Sequence, residues 1–145
     1  MATIRSFELT LFSYRYDDLT VDENANTVYC PGAHVVRSGL AVTVRDSDGN
    51  LGEFVNLDSD PAMTAQTRQI ARMLIGRDVD AREAMYDDAK RVHRKQGAFG
   101  YSNLDIALWD LAGKRAGLPV NKLLGGYRES LPAYVSTFHG DRNGG

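Results

Sequence analysis

Residues 102–126 read SNLDIALWDLAGKRAGLPVNKLLGG. Leu104, Ala107, Leu108, Leu111 and Ala112 recur at helical spacing and form one apolar face, and Ile106, Trp109 and Gly113 form a second. Ser102-Asn103-Leu104-Asp105 has the form of a helix start, with a hydroxyl cap and an acid three residues on. Gly117 and Pro119 close it. A helix apolar on most of its circumference must be buried from two sides. The chain offers one short sheet to cover it, so a further body packed against it is expected.

Working back from this helix, two more helical segments precede it. Asp60-Pro61 opens one, with Met63, Ile70, Met73 and Leu74 on one side and Gly76 as its end. The other runs from Asp80 to about Gln96, with Ala81, Met85, Ala89 and Val92 near one stripe and Gly97 as its stop. Ahead of the helices the period changes to two. Phe7, Leu9 and Leu11 mark a strand within Thr3–Phe12, and Leu40, Val42 and Val44 mark one within Val35–Arg45. Asp46-Ser47-Asp48-Gly49-Asn50 is a hairpin turn, and Leu51–Leu57 returns as the partner strand. Between the first two strands, Tyr14 to about Pro31 shows neither period. A loop of that length without structure is uncommon and is usually functional or disordered. After the helices, Leu123 and Leu124 sit in a short turn, Gly125-Gly126 turns the chain, and Leu131–Phe138 reads as a new strand. Strands first and helices second predict an α+β fold: a three-stranded antiparallel meander followed by a helical bundle.

Composition narrows the function classes. The chain has 145 residues with 43% hydrophobic content, a size and balance that suit one globular core. A net charge of −2 argues against nucleic acid as a partner. The single cysteine, Cys30, excludes a disulfide framework or a cysteine-based zinc site. The N-terminus lacks a leader pattern, and no apolar run approaches the roughly 18 residues of a membrane span. A cytoplasmic setting without membrane contact is therefore expected.

The 102–126 run closely resembles the signature that ends the capping domain of the mandelate racemase/muconate-lactonizing enzymes, in the enolase superfamily. The hairpin ending in Gly52-Glu53, the long segment after the first strand and the order of strands and helices are similar too. The resemblance implies that residues 1–126 form the capping domain. Residues 127–145, with the strand Leu131–Phe138, would begin a (β/α)7β barrel. It further implies an acid-sugar dehydratase or racemase type of enzyme. Such an enzyme removes the proton α to a carboxylate while Mg2+ stabilises the enediolate, because a weakly acidic proton and a dianionic intermediate demand concentrated positive charge. The implied partner is a small carboxylate of the acid-sugar type, and a homo-oligomer is expected. The family's base and metal ligands would lie beyond Gly145, so no catalytic or metal residue is assigned here, and the chain alone is expected to be inactive and to self-associate through its two-faced helix. The alternative is a non-catalytic interaction or oligomerisation module that keeps only the cap.

Two regions of the cap supply substrate contacts on this resemblance. They place Tyr16, Asp17, Tyr29 and His34 of the long segment and Asn56 at the end of the third strand as specificity residues. Thr137 and His139 become candidates for the barrel mouth. Other chemistry-bearing residues read as structural. Glu53 is a strand carboxylate. Asp105 is a first-turn acid favoured by the helix dipole, and Asp110, five residues on, does not share the i, i+4 spacing of a metal pair. His93 belongs to a solvated cationic helix end with Lys90, Arg91, Arg94 and Lys95. Nothing near Cys30 would clearly activate its thiol. Gly113-Lys114-Arg115 lacks the spacing of a phosphate loop.

Overall fold

The computed structural model describes residues 1–136 and Phe138. Three strands, β1 (Ile4–Val21), β2 (Thr27–Asp46) and β3 (Leu51–Asn56), precede four helices, α1 (Pro61–Leu74), α2 (Arg82–Val92), α3 (Tyr101–Ala116) and α4 (Val120–Leu123). The sheet is antiparallel in the order β1-β2-β3. The expected meander and helical bundle are both present. Among the described residues no helix is long and apolar enough to cross a membrane.

The core follows from the alternation in β2. Leu40, Val42 and Val44 lie fully buried on one face, opposite Leu11, Leu9 and Phe7 of β1 and Asn56, Phe54 and Gly52 of β3. Helix α3 lies across this face, burying Leu104, Ala107, Leu108 and Leu111. The approach is close enough that a Cβ on Gly52 would stand 2.1 Å from the Ala107 carbonyl oxygen and 2.6 Å from the Leu111 Cβ. Glycine is the only residue that permits this contact. Ile70 and Leu74 of α1, Met85 of α2 and Ile4 of β1 complete the core.

Two polar clusters fasten the layers. Asp46, fully buried at the end of β2, accepts from the backbone N–H groups of Asp48 (3.0 Å) and Asn50 (2.8 Å), from the Asn50 amide (2.9 Å) and from the Arg115 guanidinium of α3 (2.6 Å). Burial alone would raise this carboxyl, but the bonds from Asn50, Arg115 and Asp48 outweigh it and hold it below its ordinary value. On the other side of α3, the buried Asn103 donates to the Thr67 hydroxyl at 2.9 Å and accepts from Asn56 at 3.0 Å. The Thr67 hydroxyl donates to the Gly100 carbonyl at 2.9 Å.

Several expectations need correction. The segment from Tyr14 to Pro31 is not a loop: β1 and β2 continue through it to a turn at 22–26. Asp22 organises that turn by accepting from the N–H groups of Asn24 and Asn26. Apart from the buried Leu19 and the rings on which Phe138 packs, the side chains of this extension stay partly or fully exposed, so no continuous apolar stripe marks it in the sequence. Residues 131–136 take no regular structure; an isolated strand has no ladder to receive its backbone groups. Helix α3 starts one residue before Ser102, with Gly100 as its cap and no side-chain cap bond. Gln66 supplies the anchor instead, accepting from Gly100 N at 2.5 Å and donating to the Gly97 carbonyl at 2.6 Å.

The second face of α3 is covered in part by the chain itself. Arg82 lies over the Trp109 ring at 4.4 Å, and the Leu118 carbonyl sits where a Gly113 side chain would go, leaving Ile106 44% exposed. Asp105 is not a first-turn acid, and burial and the charge of Glu83 push its carboxyl up. Helix α2 begins at Arg82 and ends at Val92, and His93, rather than being solvated, is buried behind Gln66, with Nδ1 3.4 Å from the Gln66 amide nitrogen.

Two outcomes test this account. Gly52→Ala should destabilise the fold by about 3 kcal/mol, the upper part of the range for overpacking, read from the midpoint of urea unfolding. Asp46 carries the pH dependence. Its folded-state pKa lies below its unfolded value, so its contribution is complete above the ordinary carboxylate range and is lost as pH falls through the lowered folded value. Asp46→Asn should lower stability at neutral pH and flatten the acid limb of a stability-against-pH curve.

Candidate functional site

Strand β3 pairs with β2 only from Leu40 to Arg45. Beyond that point β1 and β2 continue alone, paired from Ser13↔Ser38 to Val21↔Thr27. At about 3.4 Å per residue this two-stranded arm extends roughly 27 Å past the three-stranded sheet. Its root is fixed by three contacts. The Phe12 ring lies flat over Gly39, where a Cβ would stand 2.3 Å from Phe12 Cζ. The Tyr14 hydroxyl donates to the Leu57 carbonyl, and Ser59 N donates to the Ser38 carbonyl at 3.0 Å. Burial, with Tyr16 and Asp58 nearby, holds the Tyr14 phenol above its ordinary value, which keeps it a donor.

Period-two spacing places Phe12, Tyr14 and Tyr16 on one face of the arm, with ring centroids 6.1 and 5.2 Å apart. Phe138 extends the file, standing edge-on at 6.3 Å from Tyr16 and 5.9 Å from Tyr29. The chain that follows α4 thus comes back to the arm. A bulge between Asp17 and Leu19 puts Asp18 at φ 58°, and its carboxylate accepts from Gly32 N at 2.8 Å. Asp17 and His34 are cross-strand partners. Arg15 Nε donates to Asp17 at 2.6 Å.

Of the residues expected at a substrate site, four therefore share this arm. Tyr16 and Tyr29 are brought together by Phe138, and Asp17 and His34 face each other across the ladder. Asn56 stands apart at the end of β3, where it donates to Asn103 and accepts from Asp58 N at 2.9 Å. Its amide braces the junction between β3 and α3. Thr137 and His139 lie outside the described residues. Tyr14 and Phe138 were not singled out, although the spacing of Phe12, Tyr14 and Tyr16 carried the signal for the ring file.

No metal centre is built from the described residues: no group of three His, Cys, Asp or Glu side chains gathers. Glu53 and Asp110 both bind Lys114, at 3.0 and 2.8 Å, and both raise its pKa, Asp110 the more. Asp110 also accepts from Glu53 N at 2.8 Å. A cleft of about 570 Å³ between α2 and α3 holds Glu83 and Asp105. The faces of its Trp109 and Tyr86 rings are already covered by Arg82 and Lys90.

Comparison with known proteins agrees with this architecture. Residues 39–125 match the mandelate racemase / muconate lactonizing enzyme N-terminal domain. L-talarate/galactarate dehydratase of Salmonella typhimurium is 39% identical over 103 residues, covering 66% of this chain and 26% of that protein. D-galactarolactone cycloisomerase of Agrobacterium fabrum is 33% identical over 132 residues, covering 87% of this chain and 33% of that protein. The crystal structure of D-glucarate dehydratase from Agrobacterium tumefaciens, complexed with magnesium, superposes with a TM-score of 0.69 at 29% identity, over 88% of this chain and 33% of that one. The chain thus spans between a quarter and a third of these relatives' lengths. With its meander, its signature helix and its arm in place, this chain belongs to the mandelate racemase/muconate lactonizing enzyme family, as the N-terminal domain.

Proposed function

We propose that this chain is the substrate-covering portion of an acid-sugar dehydratase or cycloisomerase, an enzyme whose first step removes the proton α to a carboxylate. The arm carries this reading. A two-stranded ribbon is marginal in water by itself, and this one stands beyond the sheet with Tyr16 and Tyr29 still 38% and 41% exposed. An element with that geometry works as a cover. Closing over a pocket, it excludes water and adds contacts to a substrate whose reacting end is held elsewhere. The names of the relatives, which act on talarate, galactarate and galactarolactone, support an acid sugar as that substrate.

The roles follow from the side chains. Tyr16 and Tyr29 offer ring faces to C–H groups and hydroxyls to a polyol chain. Asp17 and His34, on the face of the ribbon opposite Tyr16, offer polar contacts from opposite strands. Asn56 acts through the β3–α3 junction that it braces. Thr137 and His139 join these residues at the pocket rim on the family resemblance. The described residues do not fit a Mg2+ site, because Glu53 and Asp110 are both bound to Lys114 and no third ligand accompanies them. This chain's part is to bind, orient and exclude water, while the ion and the base belong to the family's barrel.

The test assays the whole enzyme, of which this chain forms the N-terminal portion, on a panel of acid sugars with and without EDTA. Mg2+-dependent turnover of at least one acid sugar is expected. Tyr16→Ala and Tyr29→Ala should each raise KM about tenfold, equivalent to about 1.4 kcal/mol of binding, with little change in kcat. No Mg2+-dependent turnover of any acid sugar, or an unchanged KM in both variants, would overturn the reading.

A further inference from the structure

We infer that Phe138 pins the tip of the arm, residues 19–29, in a folded-back position, so that the chain following α4 fixes where the tip sits. This goes beyond the proposed function and needs no substrate to hold.

The ladder of the arm is broken once. Asp17 pairs with His34 and Leu19 with Tyr29, so Asp18 alone stands against Cys30, Pro31, Gly32 and Ala33. Asp18 and Gly32 both take positive φ, 58° and 81°, and Pro31 has no N–H to give to a ladder. A bulge bends its strand, and this one folds the ribbon. Arg37, on the near side of the break, donates to the hydroxyl of Thr27, on the far side and 10 residues away along β2. Extended strand of that length would hold the two backbones roughly 33 Å apart, far beyond the reach of the two side chains. The roughly 27 Å of the arm is therefore a length along its strands, and the tip turns back toward the root.

The tip has little to hold it in place alone. Three pairs, Leu19↔Tyr29, Thr20↔Val28 and Val21↔Thr27, make up its ladder, and a hairpin that short is marginal in water. The Asp18–Gly32 and Arg37–Thr27 bonds cross the break, but a hydrogen bond that water can replace contributes modestly. The apolar part is supplied at the fold. Leu19, 3% exposed, is the one fully buried side chain between residues 13 and 38. Its cross-strand partner is Tyr29, so both side chains project from one face of the tip. Phe138 stands edge-on to Tyr29 on the far side of the break and to Tyr16 on the near side, the arrangement in which aromatic rings attract. One side chain thus spans the break. Residues 127–136, which lead up to it, are exposed, Leu131, Tyr134 and Val135 among them. Phe138 touches both halves of the ribbon, whereas the root is held separately by Tyr14 and Ser59. Losing the Phe138 ring therefore frees the tip and leaves the root in place.

The test is amide hydrogen exchange, followed by mass spectrometry on the whole enzyme without substrate. In Phe138→Ala, residues 19–29 should exchange about tenfold faster or more, while Leu40–Val44 and α3 keep their rates. Phe138→Tyr keeps the ring and should restore the protection of the tip. Should Phe138→Ala fail to fold, Tyr29→Ala removes the far-side ring contact and should loosen the same residues. Unchanged exchange of residues 19–29 in the folded variant overturns the inference. So does a rise shared equally by the core, because Phe138 would then support the fold as a whole, and so does a loosened tip that Phe138→Tyr leaves loose, because the ring would not be the pin. None of these readouts involves turnover, so the acid-sugar reading and this inference can fail separately.

Discussion

The structure depends on one close approach, that of Gly52 to the backbone of α3. Where the sheet lacks a side chain, the helix settles onto the main chain of β3, and the carbonyl of Ala107 and the Cβ of Leu111 occupy the space that a Cβ would need. That contact sets the depth of α3 over the sheet, and so the depth at which Leu104, Leu108 and Leu111 meet Leu40, Val42 and Val44. The polar fastenings are placed accordingly. Arg115 reaches Asp46 near one end of α3, and Asn103 reaches Asn56 and Thr67 near the other. Each pairs a buried polar group with a partner on another element. A shift of the helix would leave both clusters unsatisfied, at a cost well above that of the displaced apolar contacts.

The same rigidity reaches the arm. Asn56 ends β3, and Leu57 and Ser59 follow directly from it. Asn56 is tied to α3, while the Leu57 carbonyl and Ser59 N–H receive the arm's root through Tyr14 and Ser38. The seat of α3 on Gly52 is thus connected through a few covalent and hydrogen bonds to the direction in which the arm leaves the sheet. The arm proposed to cover the substrate sits on the least supported part of the molecule, but its root is held by the most supported part.

Much of this was legible in the residues. The alternation of Leu40, Val42 and Val44, the helical spacing from Leu104 to Ala112 and the Asp60-Pro61 helix start all describe surfaces buried against another layer, and burial is what makes a period visible. The arm escaped notice for the same reason. Between Tyr14 and His34 the strands pair with each other and bury only Leu19, so the apolar signal is short, and the clustered acids read as a loop. Their use is in the ribbon's own geometry: Asp22 builds the turn, Asp18 secures a bulge, and Asp17 binds Arg15. His93 was misplaced because its cationic neighbours in sequence are not its neighbours in space; Gln66, from α1, is. The capping of α3 was similarly invisible, since Gln66 acts from 34 residues away. The strand expected at Leu131–Phe138 is a property of a surrounding sheet more than of its own residues.

The arm has a further consequence for the life of the protein in a crowded solution. Past the end of β3, both of its long borders present backbone donors and acceptors that no third strand takes up among the described residues. A flat, uncharged ribbon of that kind would invite strand addition from a neighbour and so seed edge-to-edge association. Here the bulge at Asp17–Leu19 bends one border out of register, and the carboxylates spaced from Asp17 to Glu23 give any two such ribbons like charges to bring together. The acids that shape the turn also act as gatekeepers, allowing an exposed ribbon to remain a separate element instead of a template for aggregation.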